Sequence, residues 1–185
     1  MVQKLIIGLV GMPASGKSTV ANYIAKKYHA HTLYSAEFIW NFLEKRGIRK
    51  TEEMGAMAGL YLWANYQDIP LIDWVVSQIK KIKSKIILID SIRTTDELNY
   101  FTQKYKSKFH MIAIITSPAV RLERERKRAR LGKVTIEEFK LRDKTELTTG
   151  QGDVMALADH YVVGNISRKG VEAQVAVIMR QIQKA

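Results

Sequence analysis

Residues Gly11 to Ser18 read Gly-Met-Pro-Ala-Ser-Gly-Lys-Ser. The spacing fits G-x-x-x-x-G-K-[S/T] at every fixed position. An apolar, β-branched run, Leu5–Val10, precedes it, and a run with helical spacing, Thr19–Tyr28, follows. A strand, a glycine loop and a helix in that order are the setting in which this pattern cradles phosphate. Backbone N–H groups turn inward and meet the positive end of the helix, which favours an anion. Gly11 and Gly16 permit backbone angles and close approaches that a Cβ would forbid. Lys17 can reach the outer phosphates of a nucleoside triphosphate, and the Ser18 hydroxyl can ligate magnesium. The candidate phosphate-binding set is Gly11, Ala14, Ser15, Gly16, Lys17, Ser18 and Thr19.

Two further groups have side chains suited to the same chemistry. Ile86 to Asp90 is an apolar strand ending in a carboxylate. Strand ends at the carboxyl edge of such a sheet are where ligands bind, and an aspartate there holds magnesium directly or through water. The plainer alternative is an aspartate that caps the next turn. Arg93 follows three residues later and can fork onto a phosphate at that edge; otherwise it is a solvated loop arginine. The second group is the block Arg121 to Arg130. On a helix, Arg121, Arg124 and Arg128 share one face, and Arg126 and Arg130 share another. Glu123 and Glu125 can pair with Lys127 and neighbouring arginines, so much of this block is a salt-bridged surface. Phosphoryl transfer needs charge neutralisation more than a protein nucleophile. Arg124 and Arg128 are therefore the first candidates to reach a transferring phosphoryl group, then Arg126, with Arg142 on the return helix.

The remaining polar and aromatic clusters read as structural. His29, His31, His110 and His160 have no ligand-like spacing. Trp40, Trp63 and Trp74, with Tyr61, Tyr66, Met54 and Met57, are expected mostly in a core, leaving room for one ring to stack on a base.

The elements that must position these residues alternate. Strands are expected at Leu5–Val10, His31–Tyr34, Lys85–Asp90, Phe109–Thr116 and His160–Val163. Helices are expected at Lys17–Tyr28, Ala36–Lys45, Glu52–Tyr66, Leu71–Lys83, Thr95–Tyr105, Pro118–Arg130, Thr135–Leu147 and Arg168–Gln183. Pro118 behind Ser117 marks one helix start, and Thr135 with Glu138 has capping-box spacing. The pattern specifies an α/β fold with a five-stranded parallel sheet covered by helices on both faces. Between the second and third strands lie roughly fifty residues of helix, far more than one crossover needs. A second long helical segment carries the arginine block. The chain, 1–185, reads as one domain with two flaps, at about 35–84 and 119–147.

The chain has 46% apolar residues and no cysteine, which excludes disulfides and thiolate metal sites. Its start lacks a signal-peptide pattern and no stretch is long and apolar enough to span a bilayer, so a cytoplasmic location without membrane partners is expected. The net charge of +12 favours polyanionic partners, either nucleic acid or phosphorylated small molecules. No basic stripe interleaved with aromatics is visible along the chain, so nucleic acid is the less favoured of the two. These motifs set no oligomeric state.

Gly11–Ser18, the Asp90-Ser91-Ile92-Arg93 strand end, the arginine block and the tail Ala158-Asp159-His160-Tyr161-Val162-Val163-Gly164-Asn165 together resemble the nucleoside monophosphate kinase superfamily. The chain is more closely similar to archaeal adenylate-kinase-related proteins, a group also likened to dephospho-CoA kinases. The resemblance implies a three-layer phosphate-loop kinase fold, an acceptor-binding insert and an arginine-rich lid. It implies transfer of the γ-phosphate of ATP, with Mg2+, to a small phosphorylated acceptor such as AMP. Arg93 takes the place of the arginine closing the Asp-Gly-Phe-Pro-Arg stretch of adenylate kinases, and Asn165 sits near where such kinases hold the donor adenine. Ser35-Ala36-Glu37 stands where related kinases often carry a glycine–aspartate pair, and Leu131-Gly132 where the closer group often carries two aspartates. Dephospho-CoA is the alternative acceptor, and an RNA-associated ATPase or 5′-end kinase the alternative of another class.

Overall fold

The computed structural model describes residues 4–128 and 134–184, the Glu52 side chain excepted. Five parallel strands form one sheet: β1 (Leu5–Val10), β2 (His31–Tyr34), β3 (Ile86–Asp90), β4 (Phe109–Ile115) and β5 (His160–Val163), in the order β2-β3-β1-β4-β5. β1 is central, pairing Leu9 with Asp90 on one side and Val10 with Ala113 on the other. This register sets the start of the glycine loop beside the end of β3.

Both faces are covered, which is why the strands are continuous apolar runs. Along β3, Ile87 and Ile89 face one core and Leu88 the other. The first core takes Leu71, Val75, Val76 and Ile79 of α4 (Ile69–Lys81), Leu98 and Phe101 of α5 (Thr95–Tyr105), and Val154 of α8 (Gln151–Ala156). The second takes Val20 and Ile24 of α1 (Lys17–Tyr28) and Val171, Val175 and Ile178 of α9 (Arg168–Lys184). Truncating a fully buried ring such as Phe101 would cost about 3–5 kcal/mol.

The segment between β2 and β3 folds as α2 (Ala36–Glu44), α3 (Glu52–Tyr66) and α4. Its own small core is Ile39, Leu43, Ala58 and Leu62. The expected core of aromatics and methionine is corrected in part here. Tyr61, Tyr66 and Met57 are exposed, while Trp40, Trp63, Trp74 and Met54 are half-buried. Trp40 and Met54 pack against this small core and Trp74 against the first one, whereas the rings of α3 are spread around the helix, so no single face can bury them. A Cβ on Gly55 would lie 2.9 Å from the Trp40 ring.

Element ends differ slightly from expectation. Lys85 and Thr116 lie outside their strands, α4 begins at Ile69, and α7 (Ile136–Thr148) starts behind Thr135. The capping box of Thr135 and Glu138 is present, and Thr94 with Glu97 forms a second one at α5. α8 was not expected; six residues are too few for a helical period to show. The arginine helix α6 spans Pro118–Arg128, and Arg130 and Leu131-Gly132 lie outside the described residues. Among the described residues, no helix is long and apolar enough to cross a membrane.

Candidate functional site

The glycine loop lies at the carboxyl edge of β1. Ser15 N–H donates to the Met12 carbonyl, and the Thr19 and Val20 N–H groups donate to that of Gly16, which starts α1. Gly16 has φ 111°, a left-handed conformation that disfavours a side chain. At Gly11 the constraint is space, since a Cβ would lie 2.6 Å from Ser15 Oγ and 2.7 Å from the Ile114 carbonyl. Ala14 also has positive φ, 59°. Ser15 is buried, and its Oγ has no hydrogen-bond partner among the described residues. Ser18 is exposed at the first turn of α1.

Lys17 Nζ donates to the Gly11 carbonyl at 2.5 Å. Burial, reinforced by the positive charge of Arg93, lowers its pKa to about 8; Asp90 and Glu146 oppose this shift and Arg142 adds to it. Four charged side chains from three other segments thus act on one ammonium. Asp90 ends β3, Arg93 lies in the following loop, and Arg142 and Glu146 sit on α7. Burial pushes the Asp90 carboxyl up, against the pull of Lys17 and Arg93. Arg93 Nε lies 3.4 Å from Glu146 Oε2.

A buried acid cluster stands behind Arg93. Glu97 Oε2 accepts the Arg93 N–H at 2.8 Å and the Thr94 N–H at 3.2 Å. Thr94 Oγ1 donates to Asp68 Oδ2 at 2.8 Å. Asp68 lies at the corner between α3 and α4, so this chain of bonds ties that corner to the backbone of Arg93. Glu97 Oε1 is buried without a hydrogen-bond partner among the described residues. Burial and nearby Asp68 raise the Glu97 carboxyl to about 7. Ser35, in the position where related kinases often place a glycine–aspartate pair, accepts the Ser91 N–H at 3.2 Å and so fastens β2 to the loop after β3.

The arginines of α6 divide by their surroundings. Arg121 is buried and forms a forked pair with Asp143 of α7 at 2.7 and 2.6 Å. It also donates to the carbonyls of Thr116 and Pro13 and lies over the Phe139 ring. Its shared face with Arg124 and Arg128 did not reveal this, because the partners lie far off in sequence. Arg124 donates to the carbonyls of Ser15 at 3.0 Å, Ala14 at 3.3 Å and Gly164 at 2.5 Å. Arg128 is exposed and lines, with Arg124, Thr19, Gly164 and Ile166, a cavity of about 150 Å³ beside the loop. Arg126 is exposed and is not among that cavity's lining residues. Glu123 pairs with Lys127, whereas Glu125 faces Arg142 at 3.7 Å. Asn165 Oδ1 accepts the Ser117 N–H at 2.9 Å, joining the loops after β4 and β5 next to this cavity.

Sequence reasoning missed Glu146, Glu97 and Asp68 as members of the site. The Thr94–Glu97 capping-box spacing was a visible signal for Glu97. His110 and His160 lie on adjacent strands with ring centres 5.8 Å apart, while His29 and His31 are exposed. Among the described residues, no three His, Asp or Glu side chains are grouped to hold a metal by themselves.

Comparisons with known proteins bear on the family and the fold. The family model of the AAA domain matches residues 10–140. A UPF0200 protein of Hyperthermus butylicus is 32% identical over 97% of this chain and 95% of its own length, and one of Pyrococcus abyssi is 34% identical over 96% and 97%. Among solved structures, TT1252 from Thermus thermophilus superposes with a TM-score of 0.64 at 14% identity, over 97% of each chain. A gluconokinase from Sinorhizobium meliloti gives 0.60 at 14% identity over 98% of this chain and 97% of its own. Shikimate kinase from Aquifex aeolicus gives 0.57 at 16% over 97% and 99%. The chain belongs to the AAA-domain family and to the UPF0200 proteins, and it shares its fold with solved phosphate-loop kinases.

Proposed function

We propose that this chain transfers the γ-phosphate of ATP to a small phosphorylated acceptor, a nucleoside monophosphate with AMP first. The observation that carries this reading is the convergence on Lys17 of Asp90, Arg93, Arg142 and Glu146. A simple phosphate cradle needs the loop alone. A transfer site needs cations on both sides of the moving group.

In this reading the loop N–H groups, Ser15 Oγ and Lys17 hold the donor phosphates. Arg124 and Arg128 border the nucleoside side, where Gly164 and Asn165 close the cavity. Arg93, at the corner facing α2–α4, receives the acceptor phosphate, with Arg142 opposite. The segment 35–84 is then the acceptor insert and 119–147 the lid. Ser18 and Asp90 offer a hydroxyl and a carboxylate, which suit Mg2+, an ion that takes few protein oxygens beside phosphate and water. Bound there, it would neutralise charge on the phosphate oxygens. A phosphate acceptor is already an anion, so no general base is required.

Asp90 favours a second reading, because a carboxyl raised by burial beside Lys17 can also take a proton from a hydroxyl. The acceptor would then carry a hydroxyl, as dephospho-CoA does. A panel of nucleoside monophosphates and dephospho-CoA with Mg-ATP separates the two. ADP production dependent on AMP supports the first, and phosphorylation of dephospho-CoA alone supports the second. Only background hydrolysis with every acceptor removes both.

A further inference from the structure

The net charge of the chain is not spread evenly over the fold. Helices α1, α4 and α5 run down from the catalytic edge and end at the opposite edge of the sheet, where β2, β3 and β4 begin. Lys26 and Lys27 close α1, Lys80 and Lys81 close α4, and Lys83 and Lys85 lead into β3; all six are exposed. Exposed Lys104 and Lys106, with Lys108, fill the junction into β4. Arg180 and Lys184 end α9 at the same edge, and Lys4 precedes β1.

The contacts bring these junctions together. Ser84 Oγ donates to the His29 carbonyl at 3.0 Å, and Lys4 Nζ to the Ile82 carbonyl at 2.6 Å. Arg180 lies near enough to Lys27 to act on its charge. Twelve of the thirty basic residues therefore stand on one face, and Asp159 is the acidic residue in these junctions. It accepts the Met111 N–H at 2.7 Å. Elsewhere the basic and acidic residues balance to within one charge. Such segregation costs self-repulsion and raises the local concentration of a polyanion.

We propose that this underside is a binding surface for single-stranded nucleic acid, separate from the nucleotide site. Eleven of its twelve cations are lysines, which act as point charges on a phosphate backbone rather than as forked readers of bases. Exposed His29 and His31 and half-buried Tyr28 and Tyr105 set flat rings among them, as stacking on bases requires. A lipid surface would need apolar side chains to insert, and Leu157 is the exposed large hydrophobic residue at these junctions. The edge strands stand about 19 Å apart, wide enough for several nucleotides. No basic stripe shows along the chain because five separate junctions contribute to it.

The test is fluorescence anisotropy with a short labelled single-stranded RNA, titrated at several salt concentrations. Binding is expected at low salt, with a log–log salt slope of about −4 for about six phosphate contacts. The triple variant Lys27→Glu, Lys81→Glu and Lys106→Glu should weaken binding at least about tenfold and flatten the slope by about 2. Its thermal melting and ATP turnover should stay as in the wild type. The triple glutamine variant should move in the same direction without adding acids. Saturating Mg-ATP should not displace the RNA.

No binding at low salt would overturn the proposal, as would an unchanged triple variant. Displacement by Mg-ATP, or an equal loss in Arg126→Glu with Arg128→Glu, would place the RNA at the nucleotide edge and overturn it. Capture on phosphatidylserine vesicles or on an acidic polypeptide, without RNA binding, would assign the face to another partner. Kinase turnover is measured separately, so either reading can fail alone.

Discussion

The two sides of the candidate site are held by opposite means. Around the glycine loop, cations donate to backbone carbonyls: Lys17 to Gly11, Arg121 to Pro13, and Arg124 to Ala14, Ser15 and Gly164. Around Arg93, buried acids accept from backbone N–H groups and from Thr94. The loop is thus surrounded by positive charge that an anion can share. On the other side Arg93 is fixed from behind by negative groups, with its guanidinium near Glu146. In the proposed transfer, a loop that takes polyphosphate can be rigid before binding, whereas the arginine that meets the second substrate is steered by a corner between two helices.

The most severe way to break this comparison is Lys17→Ala. It should lower phosphotransfer about a thousandfold, about 4 kcal/mol, with the folded state kept. Turnover and circular dichroism of the purified variant check both parts. Next is Asp143→Ala, which leaves Arg121 buried without its forked partner. Loss of about 3 kcal/mol in denaturant unfolding is expected, with weaker ATP binding because Pro13 loses its anchor. Asp143 does not face the phosphates, so a stability change without an ATP effect would uncouple α7 from the loop.

Glu97→Ala should cost about 1–2 kcal/mol through loss of the capping box. It should also raise the acceptor KM more than the ATP KM, because the Arg93 N–H is released. Glu97→Gln keeps an acceptor oxygen and should recover most of the KM. Equal changes in both KM values would assign Glu97 to general stability.

The smallest effects are in pH. Glu97 has a folded pKa near 7, above the 4.5 of an ordinary glutamate, so the folded chain holds more protons between those values. That contribution is complete below about pH 4.5 and is lost as pH rises to 7. The Glu97→Gln variant should show a flatter stability curve across this window. Lys17 has the reverse sign, being lowered to about 8. Bound phosphates favour its charged form, so ATP affinity should stay level below pH 8 and fall above it, with proton uptake on binding. Calorimetry in buffers of different ionisation enthalpy reads that uptake directly.

The glycine loop was legible in the sequence because its residues are contiguous. Gly11 to Thr19 sit in one turn, and five strands announced themselves as β-branched runs. The surroundings of Arg93 were not legible, because Asp68, Thr94 and Glu97 meet only after α4 and β3 have folded between them. The arginine block shows the limit of periodicity. Helical spacing grouped Arg121 with Arg124 and Arg128, yet Asp143 claims the first, loop carbonyls the second and solvent the third. Exposed rings on α3 were misplaced in a core because composition records how many aromatics a helix carries and not whether they share a face. The basic underside escaped notice for the same reason as the acid cluster.

The most direct test follows the terminal phosphate itself. Wild-type protein is mixed with Mg2+, AMP and ATP labelled in its γ-phosphate, in a single turnover with Lys17→Ala as control. Label appearing in newly formed ADP, and lost with Lys17→Ala, is the expected result. Label found only in inorganic phosphate, or remaining on ATP, would contradict transfer to the nucleoside monophosphate.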